Sequence, residues 1–249
     1  MRIAIAGATG RIGRLTQDVL EQQGHQVVPI SRRQGVDVVS GAGLQEALAG
    51  VAVVIDTLNT GARDEADVVD FFTSTTRRLL QAEQATGVGH HVLLSIAGME
   101  KVAGNPHYAG KRAQEAVLES GPTPYTIVPA TQFHDFAGMV ASWLAGDGVV
   151  AIPPLLLQPI APGDVAAILA RIAVEGPQQR HRPIAGPRPE EMVRMAERTL
   201  AGRGEDIEVV AGWQGGIFNS SLAKDALLAP EGAELAPTTF DQWLATEAA

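Results

Sequence analysis

The stretch Arg2–Arg33, RIAIAGATGRIGRLTQDVLEQQGHQVVPISRR, decides how this chain folds. It opens with Arg2–Ala6, a short apolar run of the buried-strand type. Gly7-Ala-Thr-Gly10-Arg-Ile-Gly13 follows at once, and Arg11 to Gln23 reads as a helix. Gln26–Ile30 is then a second strand. Strand, glycine-rich turn, helix and strand in so short a span make a βαβ unit, in which the two strands run parallel.

Each glycine of the turn has a physical task. Gly7 permits a tight turn, Gly10 lets backbone approach a phosphate, and Gly13 lets the helix pack close to the sheet. The helix start adds unpaired N–H groups and partial positive charge. With Thr9, Arg11 and Ile12, the loop reads as the pyrophosphate cradle of a dinucleotide. An NAD-binding unit then carries Asp or Glu about 20 residues on, at the end of the second strand. This chain has Ile30-Ser31-Arg32-Arg33 there. Two guanidiniums and a hydroxyl suit a 2′-phosphate, since Arg pairs with phosphate bidentately. The expected cofactor is NADP(H) in preference to NAD(H). Asp37 either bonds the adenine or caps a turn.

Further along, Val36–Val39 is expected as a brief third strand and Leu44–Ala49 as a short helix. Ala52–Asp56, His91–Ser95 and Tyr125–Val128 read as strands, with helices over Glu65–Thr86 and Pro106–Ser120. Gly24, Gly50 and Gly87 mark helix ends. This alternation predicts a Rossmann-type, doubly wound α/β fold with a parallel sheet covered on both faces. After residue 145 the prolines Pro153, Pro154, Pro159 and Pro162 break the rhythm. A helix from Asp164 to Val174, with Asp164 as N-cap, is expected beyond them. A short strand around Pro183–Ala185 and helices near Glu190–Leu200 and Phe240–Thr246 complete the reading. The expected division is a dinucleotide-binding domain over residues 1–145 and a smaller substrate-binding lobe over residues 146–249.

Composition narrows the function classes. The 249 residues are 45% hydrophobic and 19% charged, as in ordinary globular proteins. Cysteine is absent, which excludes disulfides, thiol nucleophiles and Cys-based metal sites. A net charge of −9 argues against a nucleic-acid-tracking surface. The first residues run straight into a strand without a leader pattern, and apolar runs such as Val51 to Ile55 are too short to cross a membrane. The expectation is a cytoplasmic protein that acts on a small molecule, with oligomeric state left open. His90 and His91, at a strand start, are expected on the surface and not as a metal pair, for want of a nearby carboxylate.

With these residues in hand, the chain resembles the short-chain dehydrogenase/reductase superfamily, most of all its atypical, NmrA-like branch with an extended C-terminal lobe. The resemblance rests on the G-x-x-G-x-x-G turn, on Asp56-Thr-Leu-Asn-Thr60, and on His91-Val-Leu-Leu-Ser-Ile-Ala-Gly98. Pro129-Ala-Thr-Gln-Phe-His134, Pro159-Ile-Ala-Pro-Gly-Asp-Val165 and Thr239-Phe-Asp-Gln-Trp243 add to it. It implies that Leu58, Asn59 and Thr60 pass beneath the cofactor, and that Gln132, Phe133 and His134 line the substrate cleft.

Active members of that superfamily use a serine with Tyr-x-x-x-Lys on one helix. Positions i and i+4 share a helical face, so the lysine holds the cofactor ribose and its charge favours ionisation of the tyrosine, the proton donor. Ser95 matches the serine by position. The helix here begins Asn105-Pro-His-Tyr-Ala-Gly-Lys111, with Asn105 a sound N-cap and Pro106 a sound first residue. Four before Lys111 stands His107; Tyr108 is three before it, about 100° around the helix. Three outcomes are open: His107 donates the proton, Tyr108 does, or the site binds cofactor with no dedicated donor. The resemblance implies an NADP(H)-dependent oxidoreductase of a small apolar carbonyl or conjugated alkene, or an NADP(H)-binding redox sensor.

Overall fold

The computed structural model describes residues 1–144, 148–213 and 226–247. Strand β1 (Arg2–Ala6) leads to helix α1 (Arg11–Gln22), β2 (Gln26–Ile30), the short α2 (Leu44–Leu48), β3 (Val53–Asp56) and α3 (Glu65–Thr86). Then come β4 (His90–Ile96), α4 (Pro106–Glu119), β5 (Tyr125–Ala130), α5 (Phe136–Leu144), β6 (Val149–Ile152) and β7 (Leu156–Leu157). Helix α6 (Pro162–Glu175), β8 (Gln179–Arg180), β9 (Ile184–Ala185) and β10 (Glu190–Glu191) follow. The chain continues with α7 (Met192–Gly202), β11 (Glu208–Ala211), β12 (Glu234–Leu235) and α8 (Phe240–Glu247). Among the described residues no helix is long and apolar enough to cross a membrane.

The chain forms two compact units, each assembled from separated segments. The first comprises Met1–Ile96, Asn105–Pro129 and Val165–Arg182; the second comprises Ala97–Gly104, Ala130–Asp164 and Pro183–Ala249. The boundary expected between residues 145 and 146 lies outside the described residues.

In the first unit the strands lie in the order β2-β1-β3-β4-β5, with β8 beside β5. β1 pairs in parallel with both β2 and β3, and β3 with β4. This is the doubly wound Rossmann order without its outermost strand. The missing strand is Val36–Val39, which the structure corrects to a turn. The Asp37 carboxylate accepts from the Val39 amide at 3.0 Å and from Ser40 Oγ at 3.0 Å, so the segment curls on itself. These bonds show Asp37 capping a turn, one of the two roles read for it.

Helix ends follow local chemistry. Asp64 caps α3 by accepting from the Ala66 and Asp67 amides, and Asn105 caps α4 by accepting from Tyr108 N. Gly87 ends α3 with φ +77°, in the left-handed region. Between α3 and the sheet sits an apolar cluster including Ile30, Leu44, Val54 and Leu79; Leu80, Leu93, Leu118 and Ile127 form another. Helices α3 and α4 touch closely at Gly110, where a Cβ would stand 2.6 Å from Val68 Cγ1.

In the second unit β6 runs parallel to β11, β7 antiparallel to β10, and β9 parallel to β12. Ala130, the last residue of β5, pairs with Ile184. Helix α5 was not expected. Its sequence, FAGMVASWL, is almost wholly apolar and shows no polar face to set a helical period. The α6 helix starts two residues ahead of expectation, at Pro162, so Asp164 lies in its first turn and is not the N-cap. Its carboxylate accepts instead from the Thr238 amide at 3.0 Å and hydroxyl at 2.9 Å.

Candidate functional site

Parallel pairing brings three strand ends into one row. Ala6 stands opposite Ile30 on one side and Asp56 on the other. The segments that leave those residues, Gly7–Gly13, Ser31–Arg33 and Thr57–Thr60, therefore start from adjacent points at the carboxyl edge of the sheet. That edge, where the order switches direction about β1, is where open α/β sheets bind ligands.

The turn is built for backbone approach. Gly7 has φ +82°, and a Cβ there would fall 2.9 Å from Thr57 O and Oγ1. A Cβ on Gly10 would meet Gly7 O at 3.2 Å. A Cβ on Gly13 would fall 2.3 Å from the same oxygen. Gly13 thus lets α1 close on the turn itself, a tighter reason than packing on the sheet. Gly10 is the N-cap of α1 and contributes no side-chain hydrogen bond, and Thr9, Gly10 and Arg11 are exposed while Ile12 anchors the helix in the core. The first amides of a twelve-residue helix face outward with partial positive charge and no side-chain cap. These residues fit a pyrophosphate.

Arg32 and Arg33 form a single 3₁₀ turn after Ser31, and both are exposed. Asp37 lies close enough to Arg32 to feel its charge, but its oxygens serve its own loop, whose bonds hold the carboxyl below the usual range. The guanidinium pair is thus presented to solvent beside the turn. Leu58 and Thr60 are half-buried and Asn59 is exposed; Asn59 Oδ1 accepts from Thr60 N at 2.9 Å.

The expected chemical residues behave differently. Lys111 is 5% exposed, and its Nζ donates to Leu94 O at 2.8 Å and to Gln114 Oε1 at 2.6 Å, 4.8 Å from the Phe72 ring centroid. Burial pushes its ammonium down to about 8, against the pull of Asp56 and Glu115. Ser95 is buried and donates to Glu115 Oε1 at 2.5 Å, while Arg180 holds the other oxygen at 2.6 Å. His107 packs edge-on against Phe72, with ring centroids 5.5 Å apart. Burial, then the charge of Lys111, push His107 down to about 4, so the ring is neutral at pH 7. Tyr108 is buried in the first turn of α4.

Two histidine expectations are overturned. His90 and His91 are buried at 3% and 0% exposure, and carboxylates do stand near. His91 Nδ1 lies 2.7 Å from Glu83 Oε1, with Asp56 3.9 Å from its other nitrogen. Neither acid is adjacent to it in sequence, so the partnership exists only where α3, β3 and β4 pack together. His134, expected in a cleft, is wholly buried in the second unit, against Phe240 and Trp243, with Nε2 3.1 Å from Thr238 O. Phe133 is half-buried and bridges to Ile160, and Gln132 is buried and accepts from Ile160 N through its carbonyl.

Sequence reasoning missed Asp56, Thr76, Glu83 and Gln114, all fully buried polar residues of the first unit. Asp56 stood inside a quoted motif, but nothing local marked it as more than a strand end.

A profile described as NAD(P)H-binding matches residues 7–174. The chain belongs to this NAD(P)H-binding family. The divinyl chlorophyllide a 8-vinyl-reductase of Oryza sativa subsp. indica is 28% identical over 221 residues, covering 74% of this chain and 54% of that protein. The 4-hydroxy-tetrahydrodipicolinate reductase of Ralstonia nicotianae is 37% identical over 100 residues, 39% of this chain and 38% of that one. The chain spans about half the length or less of the curated relatives it matches. Among solved structures, the Citrobacter triphenylmethane reductase complexed with NADP(H) superposes with TM-score 0.65 at 21% identity, over 86% of this chain and 80% of that one. A short-chain dehydrogenase/reductase superfamily protein of Agrobacterium tumefaciens shares the fold as well, with TM-score 0.71 at 19% identity over 100% of this chain and 96% of that one. The chain thus carries an NAD(P)H-binding domain on a Rossmann-type fold.

Proposed function

We propose that the chain is an NADP(H)-dependent oxidoreductase that reduces a small apolar carbonyl or a conjugated alkene. The observation that carries this reading is the pairing of an uncapped glycine turn with two exposed arginines on the neighbouring strand end. When bound, the cofactor supplies hydride. The amides at the start of α1 hold the pyrophosphate, Arg32 and Arg33 clamp the 2′-phosphate with Ser31, and Leu58, Asn59 and Thr60 support the adenosine side. A vinyl reductase and a second reductase among the relatives support the reaction class.

A specific observation favours a second reading, an NADP(H)-binding sensor without turnover. Ser95 and Lys111 spend their hydrogen bonds inside the first unit, and His107 is neutral at pH 7. For a working enzyme the donor we propose is Tyr108. Calorimetric titration with NADPH and NADH, followed by NADPH oxidation on a panel of apolar carbonyls and activated alkenes, separates the cases. Turnover that disappears in Tyr108→Phe supports the oxidoreductase; micromolar NADPH binding with no turnover on the panel supports the sensor. Uptake of neither dinucleotide overturns both.

A further inference from the structure

Helix α4 carries an amide that joins two opposite charges. Gln114 is wholly buried, and its Oε1 accepts from the Lys111 ammonium at 2.6 Å. Its Nε2 donates to Asp56 Oδ2 at 3.0 Å and to Thr76 Oγ1 at 3.1 Å. The partners fix the orientation of the amide: the oxygen must face the cation and the nitrogen the carboxylate. A carboxylate in that place would repel Asp56, and an apolar side chain would take one hydrogen-bond partner from each charge, leaving Lys111 with Leu94 O and Asp56 with the Leu58 amide.

Asp56 passes the constraint onward. Its other oxygen, Oδ1, accepts from Leu58 N at 2.8 Å, which folds the chain back just after β3. Thr57, between them, donates from N and from Oγ1 to Ala6 O at 3.0 and 2.9 Å. Thr57 O and Oγ1 are the atoms that bar a Cβ from Gly7. An unbroken line of contacts, all within the first unit, therefore runs from α4 through Asp56 and Thr57 to the first glycine of the turn.

We infer that Gln114 is a positioning residue for the cofactor turn, acting through Asp56 and the Leu58 amide and not by touching the ligand. The role rests on the NADP(H) reading above. Without Gln114, the buried Asp56 carboxylate loses one of its two donors, and His91 Nε2, 3.9 Å away, is the competing cationic partner. Rotation toward His91 releases Leu58, and the wall behind Gly7 loosens.

The test uses the full chain with three substitutions, Gln114→Met, Asp56→Ala and their combination, and two readouts. Hydrogen exchange of the Leu58 amide in the ligand-free protein is expected to quicken about tenfold in Gln114→Met, while amides of β1 hold their rates. The Kd for NADPH is expected to rise about tenfold in each single variant, and the double variant to bind no more weakly than Asp56→Ala. If Gln114→Met fails to fold, Gln114→Asn keeps the amide but is one methylene too short to span both charges, and should show the same Leu58 effect. Unchanged Leu58 exchange, or Kd losses that multiply in the double variant, overturns the positioning role alone. Absence of NADPH uptake by the unsubstituted protein overturns the cofactor reading instead.

Discussion

His91 Nδ1 lies 2.7 Å from Glu83 Oε1, with neither side chain exposed to solvent. Burial alone pushes an imidazole toward neutrality, but the charge and hydrogen bond of Glu83, backed by Asp56, outweigh it and raise His91 above its ordinary value. The sign of the consequence is determined. A raised folded-state value means stability fully present below the unfolded value of 6.5 and lost as pH climbs through the folded one. Urea unfolding across pH 6 to 9 should show that decline in the parent, and a Glu83→Gln variant should lack it. Breaking the pair should also lower stability at pH 6 by about 3–5 kcal/mol, because it strands a buried charge.

Lys111 acts in the opposite sense at higher pH. Its folded value of about 8 lies below the ordinary 10.5, so between these limits the unfolded chain binds the extra proton and stability rises with pH. The whole rise amounts to about 3 kcal/mol. In Lys111→Met the slope of the unfolding free energy between these limits should flatten; an unchanged slope would show that the ammonium is not the buried group it is here.

Gly110 tests the contact between α3 and α4. Alanine is the better helix former by about 1 kcal/mol. Yet its Cβ would fall 2.6 Å from Val68 Cγ1, 2.8 Å from the Phe72 ring and 3.1 Å from Val68 O, and the last is backbone that cannot step aside. Overpacking of this kind costs about 1–3 kcal/mol, so Gly110→Ala should be net destabilising. A lowered urea midpoint with an unchanged m-value is the expected result.

The arginine pair sets cofactor choice. Replacing Arg32 and Arg33 with alanine should weaken NADPH binding about 10- to 100-fold, as expected for loss of charge-assisted phosphate contacts. NADH, which has a hydroxyl in place of the phosphate, should bind as before. Equal losses for the two dinucleotides in paired titrations would show that the arginines do not read the 2′-phosphate.

Much of the first unit was legible because its signals are local. A glycine needing φ +82° at residue 7, a cap at Asn105 with Pro106 behind it, and Gly87 closing a long helix each answer to a few neighbouring atoms. The strand at Val36–Val39 was misread for the same reason. Its apolar residues fit a strand, but the Asp37 carboxylate bonds two residues ahead and takes the segment into a turn. Helix α5 escaped notice because its exposed face carries Met139 and Trp143, apolar like its buried face, so the sequence shows no period to read.

The sequence by itself determined most of the order of strand and helix through the first unit and the shape of the glycine turn, since backbone preference and side-chain periodicity are encoded within a few residues. Only the tertiary structure decided which polar groups lie inside. Gln114 and Asp56 are separated by 58 positions, and His134 and Thr238 by 104. Their partners come from elements that meet only when the sheet and helices pack, and a buried charge survives there because that packing supplies its donor.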